Sequence, residues 1–292
     1  MRNGYVSITG KPNVGKSTLI NAFLKYHVAI TSPKPQTTRN QIRAIYQTAD
    51  CKIAFIDTPG WHEPKFKLDL FLNSEIKNSY KVADVILLLI DLTRLIDDED
   101  RKVIETINKF NLTNVILVLT KKDISSPKKI NEYTQQLAKM INPLDTIAIS
   151  SKKNLSLDQL IKTISLHLPI EEQTLMVEEN DNKTISEIIR QQVIFNTRQE
   201  LPYASTVVIE LNNYDEFTNT LNVQATIVVE KESQKPILIG KNGSMIKKIG
   251  IMARKDLMNI YSSKINLKLF VKVEKDWRNN EKFLKDIGYS NK

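Results

Sequence analysis

Apolar positions in the first 168 residues fall into two kinds of run that alternate along the chain. Tyr5–Thr9, Ala44–Thr48, Lys52–Ile56, Val85–Asp91, Asn114–Thr120 and Asp145–Ile149 are short, largely apolar and rich in β-branched residues, the pattern of buried strands. Between them, Ser17–Tyr26, Asp97–Phe110, Pro127–Ile141 and Leu155–Leu168 place apolar residues at helical spacing. Alternation of this kind predicts a mostly parallel sheet with helices on both faces. His27–Arg43, with Pro33 and Pro35 and no period, reads as a long loop of the functional kind.

The pattern changes after Leu168. Leu168–Lys183 is acidic, polar and aperiodic, and reads as a linker. Beyond it come a helix over Thr184–Arg198, alternating strands over Thr206–Leu211 and Leu221–Val229, and the stretch Pro236–Gly243. A basic helix then runs to about Tyr261, and Ile265–Val273 closes as a strand. The order is helix, strand, strand, helix, helix, strand.

Polar motifs sit at the ends of the predicted strands. Gly10-Lys11-Pro12-Asn13-Val14-Gly15-Lys16-Ser17, followed by Thr18, fits the phosphate-binding template of Gly, four residues, Gly, Lys and Ser or Thr, in its required strand-loop-helix setting. Backbone N–H groups at the positive end of a helix would take the phosphates, Lys16 would add a point charge, and the Ser17 hydroxyl would hold Mg²⁺. In the long loop, Thr37-Thr38 offers a hydroxyl that reaches metal and last phosphate when that phosphate is present. Asp57-Thr58-Pro59-Gly60 supplies a carboxylate behind Mg²⁺ and a backbone N–H for the last phosphate. Thr120-Lys121-Lys122-Asp123 places a carboxylate that matches the N1–H and exocyclic amine of guanine, which adenine does not offer. Ser150-Ser151-Lys152 forms the loop over the base. On the residues alone, catalysis is expected from Lys16 and Gly60, and metal binding from Ser17 and Asp57.

Composition narrows the setting. The 292 residues carry one cysteine, Cys51, which excludes an intramolecular disulfide framework and a cysteine-based metal site, and only three histidines, which argues against a histidine-based one. The N-terminus enters the first strand directly, with no room expected for a signal peptide, and the longest purely apolar run, Val85–Ile90, is far too short to span a membrane. The net charge of +9 is uneven: residues 1–168 carry +8, residues 169–234 carry −8, and residues 235–275 carry +8. The last block suggests an anionic partner. Within it, Gly240-Lys241-Asn242-Gly243 fits a clamp loop that lets backbone approach a nucleic-acid strand, with Lys247, Lys248, Arg254 and Lys255 lining the approach to single-stranded RNA. Ile237, Ile239, Ile246 and Ile249 are expected in the core. Trp277 either stacks on a base or packs against the sheet.

Together GKPNVGKS, QTTR, DTPG, TKKD and the serine loop resemble the Era-type GTPases of the translation-factor-related class, and the resemblance spans nearly the whole chain. The Trp-Arg and Gly-Tyr pairs of the tail belong to it. It implies a P-loop GTPase domain over residues 1–168, a linker over 169–182, an α+β type II KH domain over 183–275 and a tail over 276–292. It implies GTP/GDP and Mg²⁺ as ligands, with Thr38 as switch ligand and Asp57 acting through water. The partners implied are small-subunit ribosomal RNA and the 30S subunit, for a monomeric cytoplasmic protein that can also meet the inner face of the cell membrane. Two departures stand out. Thr120 replaces the usual Asn of the guanine motif, and Trp61 follows DTPG where small signalling GTPases carry a catalytic Gln. The second implies slow intrinsic hydrolysis. In related GTPases with an apolar residue there, the residue matching Asn13 helps hold K⁺. The alternatives are a tRNA-modification or membrane-associated signalling GTPase sharing only the first domain, and a nucleotide-dependent scaffold without turnover.

Overall fold

The computed structural model describes residues 1–24, 42–170, 175 and 181–289. The chain divides into two compact units, one made of 1–64 with 72–178 and the other of 65–71 with 179–292. The long loop with Thr38, most of the expected linker and the last three residues lie outside the described residues.

The first unit contains β1 (Arg2–Thr9), α1 (Lys16–Leu24), β2 (Ile42–Gln47), β3 (Cys51–Asp57), most of α2 (Lys67–Val82), β4 (Val85–Asp91), α3 (Asp98–Lys109), β5 (Val115–Thr120), α4 (Pro127–Ala138), β6 (Asp145–Ala148) and α5 (Leu157–His167). The strands form one sheet in the order β2-β3-β1-β4-β5-β6, parallel except for β2. Strand β4 shows why the apolar run was so clear. Val85, Leu87 and Leu89 pack on one face with α1 and α5, while Ile86, Leu88 and Ile90 pack on the other with α2, α3 and Tyr133 and Leu137 of α4. A strand covered on both sides has no polar face to interrupt it.

The sequence reading assigns no element between Gly60 and Val85, and α2 fills that gap. Its signal is the buried series Leu68, Leu72, Ile76 and Tyr80 at intervals of one turn, blurred by exposed Leu70 and by intervening polar residues.

The second unit contains α6 (Asp181–Asn196), a short α7 (Leu201–Ala204), β7 (Ser205–Asp215), β8 (Thr220–Val229), α8 (Gln234–Ile239), α9 (Ser244–Tyr261), β9 (Lys264–Val273) and α10 (Glu281–Asp286). The sheet runs β7-β8-β9, with β7 and β8 antiparallel and β8 and β9 parallel. Its core joins Ile185, Ile189 and Val193 of α6 to Ile249, Ala253 and Leu257 of α9 across Val223, Ala225 and Ile227 of β8. One expectation fails here. Ile237 is 56% exposed and Leu238 is buried in its place, because α8 turns the neighbouring position inward. Ile249 is buried, whereas Ile239 and Ile246 are half-buried.

Trp277 packs. It is fully buried, its indole N–H donates to the Ala204 carbonyl at 3.0 Å, and its ring meets Phe283 edge-on. Beside it, the Arg278 guanidinium lies over the Phe66 ring and forks onto the Glu230 carboxylate.

Candidate nucleotide site and nucleic-acid clamp

The nucleotide motifs meet at the carboxyl ends of the parallel strands, where open α/β sheets bind ligands. Ile8 of β1 stands beside Asp57 of β3, and Asp91 of β4 beside Thr120 of β5. Gly10 leaves β1 with φ +142°, and a Cβ there would lie 2.6 Å from the Leu89 carbonyl oxygen, so no other residue turns the chain at this point. The loop then delivers Lys16 and Ser17 to the first turn of α1.

Lys16 Nζ donates to the Gly10 and Lys11 carbonyls, each at 3.0 Å. Burial pushes its pKa down to about 8, against the pull of the Asp57 charge. The Ser17 hydroxyl donates to Asp57 Oδ2 at 2.8 Å, bringing together two hard oxygen groups of the kind Mg²⁺ takes. Asn13 sits in the left-handed region at φ 65°. Trp61 N–H donates to the Gly10 carbonyl at 3.3 Å, which lays the segment after Asp57 against the start of the loop.

Thr58 and Lys11, both expected at the nucleotide, spend their side chains elsewhere. The Thr58 hydroxyl donates to the Ile8 carbonyl at 2.7 Å inside the sheet. The Lys11 ammonium is taken by Asp97 and Asp100 at the start of α3. Their backbone groups remain in place along the motif, as does that of Pro59, while Thr18 is exposed on α1.

At the guanine motif, the Thr120 hydroxyl donates to the Val14 carbonyl at 2.8 Å and so braces the phosphate loop from β5. Lys121, at φ 62°, donates to Asp91 at 2.5 Å. Burial alone would raise the Asp91 pKa, but hydrogen bonds from Lys121 and Thr93 outweigh it and hold the carboxyl below its ordinary value. Asp91 belongs to the support of this site and was missed in sequence, being read only as the end of a strand. Lys122 N–H donates to the Ile149 carbonyl at 2.9 Å and its ammonium to Ser156, which ties the motif to the serine loop. Asp123 is exposed in a single 3₁₀ turn, open to a ligand. Ser150 is buried and pinned by a bridge to Leu155, while Ser151 and Lys152 lie further out.

In the second unit, Gly240 and Gly243 take φ 73° and 75° around Asn242 at φ 51°. A Cβ on Gly240 would come within 2.7 Å of the Met245 backbone N, so the turn needs glycine there. Lys241 and Asn242 are exposed at the tip. Lys247, Lys248, Arg254 and Lys255 are exposed on α9 opposite its buried face of Ile249, Ala253 and Leu257. Among the described residues no helix is long and apolar enough to cross a membrane.

Residues 5–121 match a family described as 50S ribosome-binding GTPases, and residues 200–278 match KH domains. GTPase Era of Ureaplasma urealyticum is 46% identical, the match covering 98% of this chain and 97% of that protein. GTPase Era of Caldanaerobacter subterraneus is 40% identical, covering 99% and 98%. Two solved structures superpose over all of this chain and all of theirs, each at 35% identity and a TM-score of 0.92. One is an Aquifex aeolicus Era variant bound to GDP and AlF₄⁻; the other is Era in complex with MgGDPNP and nucleotides 1506–1542 of 16S ribosomal RNA. With a phosphate loop and guanine motif on one sheet edge, a glycine clamp in a KH unit, and similarity of this extent, the chain belongs to the Era family of GTPases.

Proposed function

We propose that the chain binds GTP with Mg²⁺, hydrolyses it slowly, and clamps single-stranded small-subunit ribosomal RNA in the cytoplasm as a factor in 30S assembly and rRNA maturation. The observation that carries the reading is the meeting of Lys16, Ser17 and Asp57 at one strand edge, with the Ser17 hydroxyl already on the Asp57 carboxylate. In this reading the domains are residues 1–168 for the nucleotide and 183–275 for RNA, with 169–182 between and 276–292 as tail. The solved complex of Era with MgGDPNP and nucleotides 1506–1542 of 16S ribosomal RNA supports both halves.

The chain's own groups define the chemistry. Lys16 exchanges its two carbonyl partners for phosphate oxygens and offsets charge that grows on them in the transition state. The Ser17 hydroxyl, together with that of Thr38 in the loop outside the described residues, would hold the metal with the support of Asp57, and the metal would offset charge on the β- and γ-phosphates. Gly60 offers its N–H to the last phosphate. Trp61 has no amide to orient water, hence the slow turnover. Asp123 reads guanine. The Asn13 side-chain oxygen and carbonyls of the 31–37 loop would hold K⁺ beside the phosphates, where it supplies positive charge.

The deciding experiment is Asp123→Asn with GTP and XTP in competition. The preference should relax towards XTP, since loss of paired bonds to a buried base commonly costs several kcal/mol; identical competition before and after would remove Asp123 as the reader. The K⁺ role is read separately. Hydrolysis should be faster in K⁺ than in Na⁺ at equal ionic strength, and Asn13→Gly, which keeps the left-handed backbone, should erase the difference.

A further inference from the structure

Lys11 stands inside the phosphate loop, yet its ammonium donates to Asp97 Oδ2 at 2.6 Å and Asp100 Oδ2 at 2.8 Å. The Lys11 and Asp100 side chains are only 3% and 2% exposed, and that of Asp97 54%. The two carboxylates already form the capping box of α3. Asp97 Oδ1 accepts from the Asp100 N–H at 3.2 Å, and Asp100 Oδ2 from the Asp97 N–H at 3.3 Å. The ammonium therefore closes a charged lock on a helix N-terminus, where carboxylates are favoured in any case. Burial works to lower the Lys11 pKa, but its hydrogen bonds to Asp100 and Asp97 prevail and raise it, whereas burial pushes the Asp100 carboxyl up against the pull of Lys11.

What the lock holds is the first turn of the loop. Pro12 follows directly, and it carries Gly60: a Cβ on Gly60 would lie 2.9 Å from the Pro12 backbone N and from its ring. The Gly10 carbonyl accepts from Trp61 N–H in the same place. The other end of the loop has separate anchors, in Thr120 on the Val14 carbonyl and in the first turn of α1, where Leu19 N–H reaches the Gly15 carbonyl at 2.9 Å.

We propose that Lys11 is a positioning residue for GTP hydrolysis: by locking the Gly10–Pro12 turn onto the α3 capping box, it sets where Gly60 meets the last phosphate. The inference rests on the GTPase reading above. It gives the Gly10–Pro12 turn a part in placing Gly60 for hydrolysis, beside the direct phosphate role of Lys16, whose ammonium rests on the Gly10 and Lys11 carbonyls.

The test measures kcat and GDP affinity together in the full chain and in Lys11→Met, Lys11→Arg, and Lys11→Met combined with Asp100→Asn. In Lys11→Met, kcat should fall roughly 10- to 100-fold, as small misplacements do, while the GDP Kd stays within about threefold, well under 1 kcal/mol. Lys11→Arg should recover most of kcat. Lys11→Met alone strands a buried carboxylate and should lower Tm; adding Asp100→Asn removes that charge and should restore Tm without restoring kcat. Recovery of kcat along with Tm in the double variant would reduce the lock to a structural ion pair. A GDP Kd rising as far as kcat falls would overturn the positioning role and make Lys11 a support of nucleotide binding alone. An unmodified protein that neither bound GDP nor hydrolysed GTP would overturn the underlying GTPase reading instead.

Discussion

At Thr120 a hydroxyl stands where an asparagine amide fills the usual form of the guanine motif, and it keeps the half of that role that faces the phosphate loop. Its bond to the Val14 carbonyl satisfies an acceptor that burial would otherwise leave at a cost of about 1–3 kcal/mol. Lys16 presents the opposite situation. Its ammonium is buried on two carbonyls, and burial drops its pKa from 10.5 to about 8. The unfolded chain then binds the proton more tightly than the folded one, so stability rises with pH between about 8 and 10.5 and is depressed below that window. The depression is about 3 kcal/mol at neutral pH, by the conversion of pKa to free energy. Nucleotide-free, metal-free protein bearing Lys16→Met should therefore be more stable than the unmodified protein at pH 7, and the gap should close as pH approaches 10.5. Denaturant unfolding at a series of pH values measures it; a gap that does not vary with pH would mean that Lys16 is not held at a disadvantage.

Among the elements, those with one unbroken signature were legible and those whose signal is shared with a partner were not. Strand β4 was read to the residue because both faces are buried, and Gly10–Ser17 because its spacing has few other uses. Helix α2 was lost because its buried stripe is one apolar residue per turn, blurred by exposed Leu70 and by polar neighbours, and the side-chain role of Lys11 was not legible because its partners lie 86 and 89 positions away. Asp97 and Asp100 do carry a signal, a carboxylate three residues after another at a helix start, but only the fold connects it to the loop. The turn between α8 and α9 was legible in its glycines and charges, though not in which isoleucine faces inward. Gly240→Asp should place a side chain against the Met245 backbone and a carboxylate at the phosphate approach. RNA affinity at matched salt should fall while hydrolysis without RNA stays near that of the unmodified protein. Equal affinity, by titration of a 16S-type single strand, would remove the clamp from this loop.

On the scale of the whole molecule, nucleotide and clamp motifs fall in different compact units, and the basic block of residues 235–275 falls in the second. The chain has two tryptophans, and they fall one to each unit. Trp61 is half-buried, one residue beyond Gly60, with its N–H on the phosphate loop. Trp277 is sealed in the interior of its own unit with its indole N–H spent on Ala204. Fluorescence therefore separates them. Trp277 should emit at shorter wavelength and respond to unfolding of its unit, whereas Trp61 should respond when a last phosphate arrives at or leaves Gly60. In Trp277→Phe protein the remaining emission should shift between GDP and a non-hydrolysable GTP analogue, and a spectrum blind to that exchange would mean that the residues after Asp57 do not follow the phosphate. With Trp61→Phe the same instrument would watch the KH unit alone, so each half of the molecule carries its own optical label without any dye.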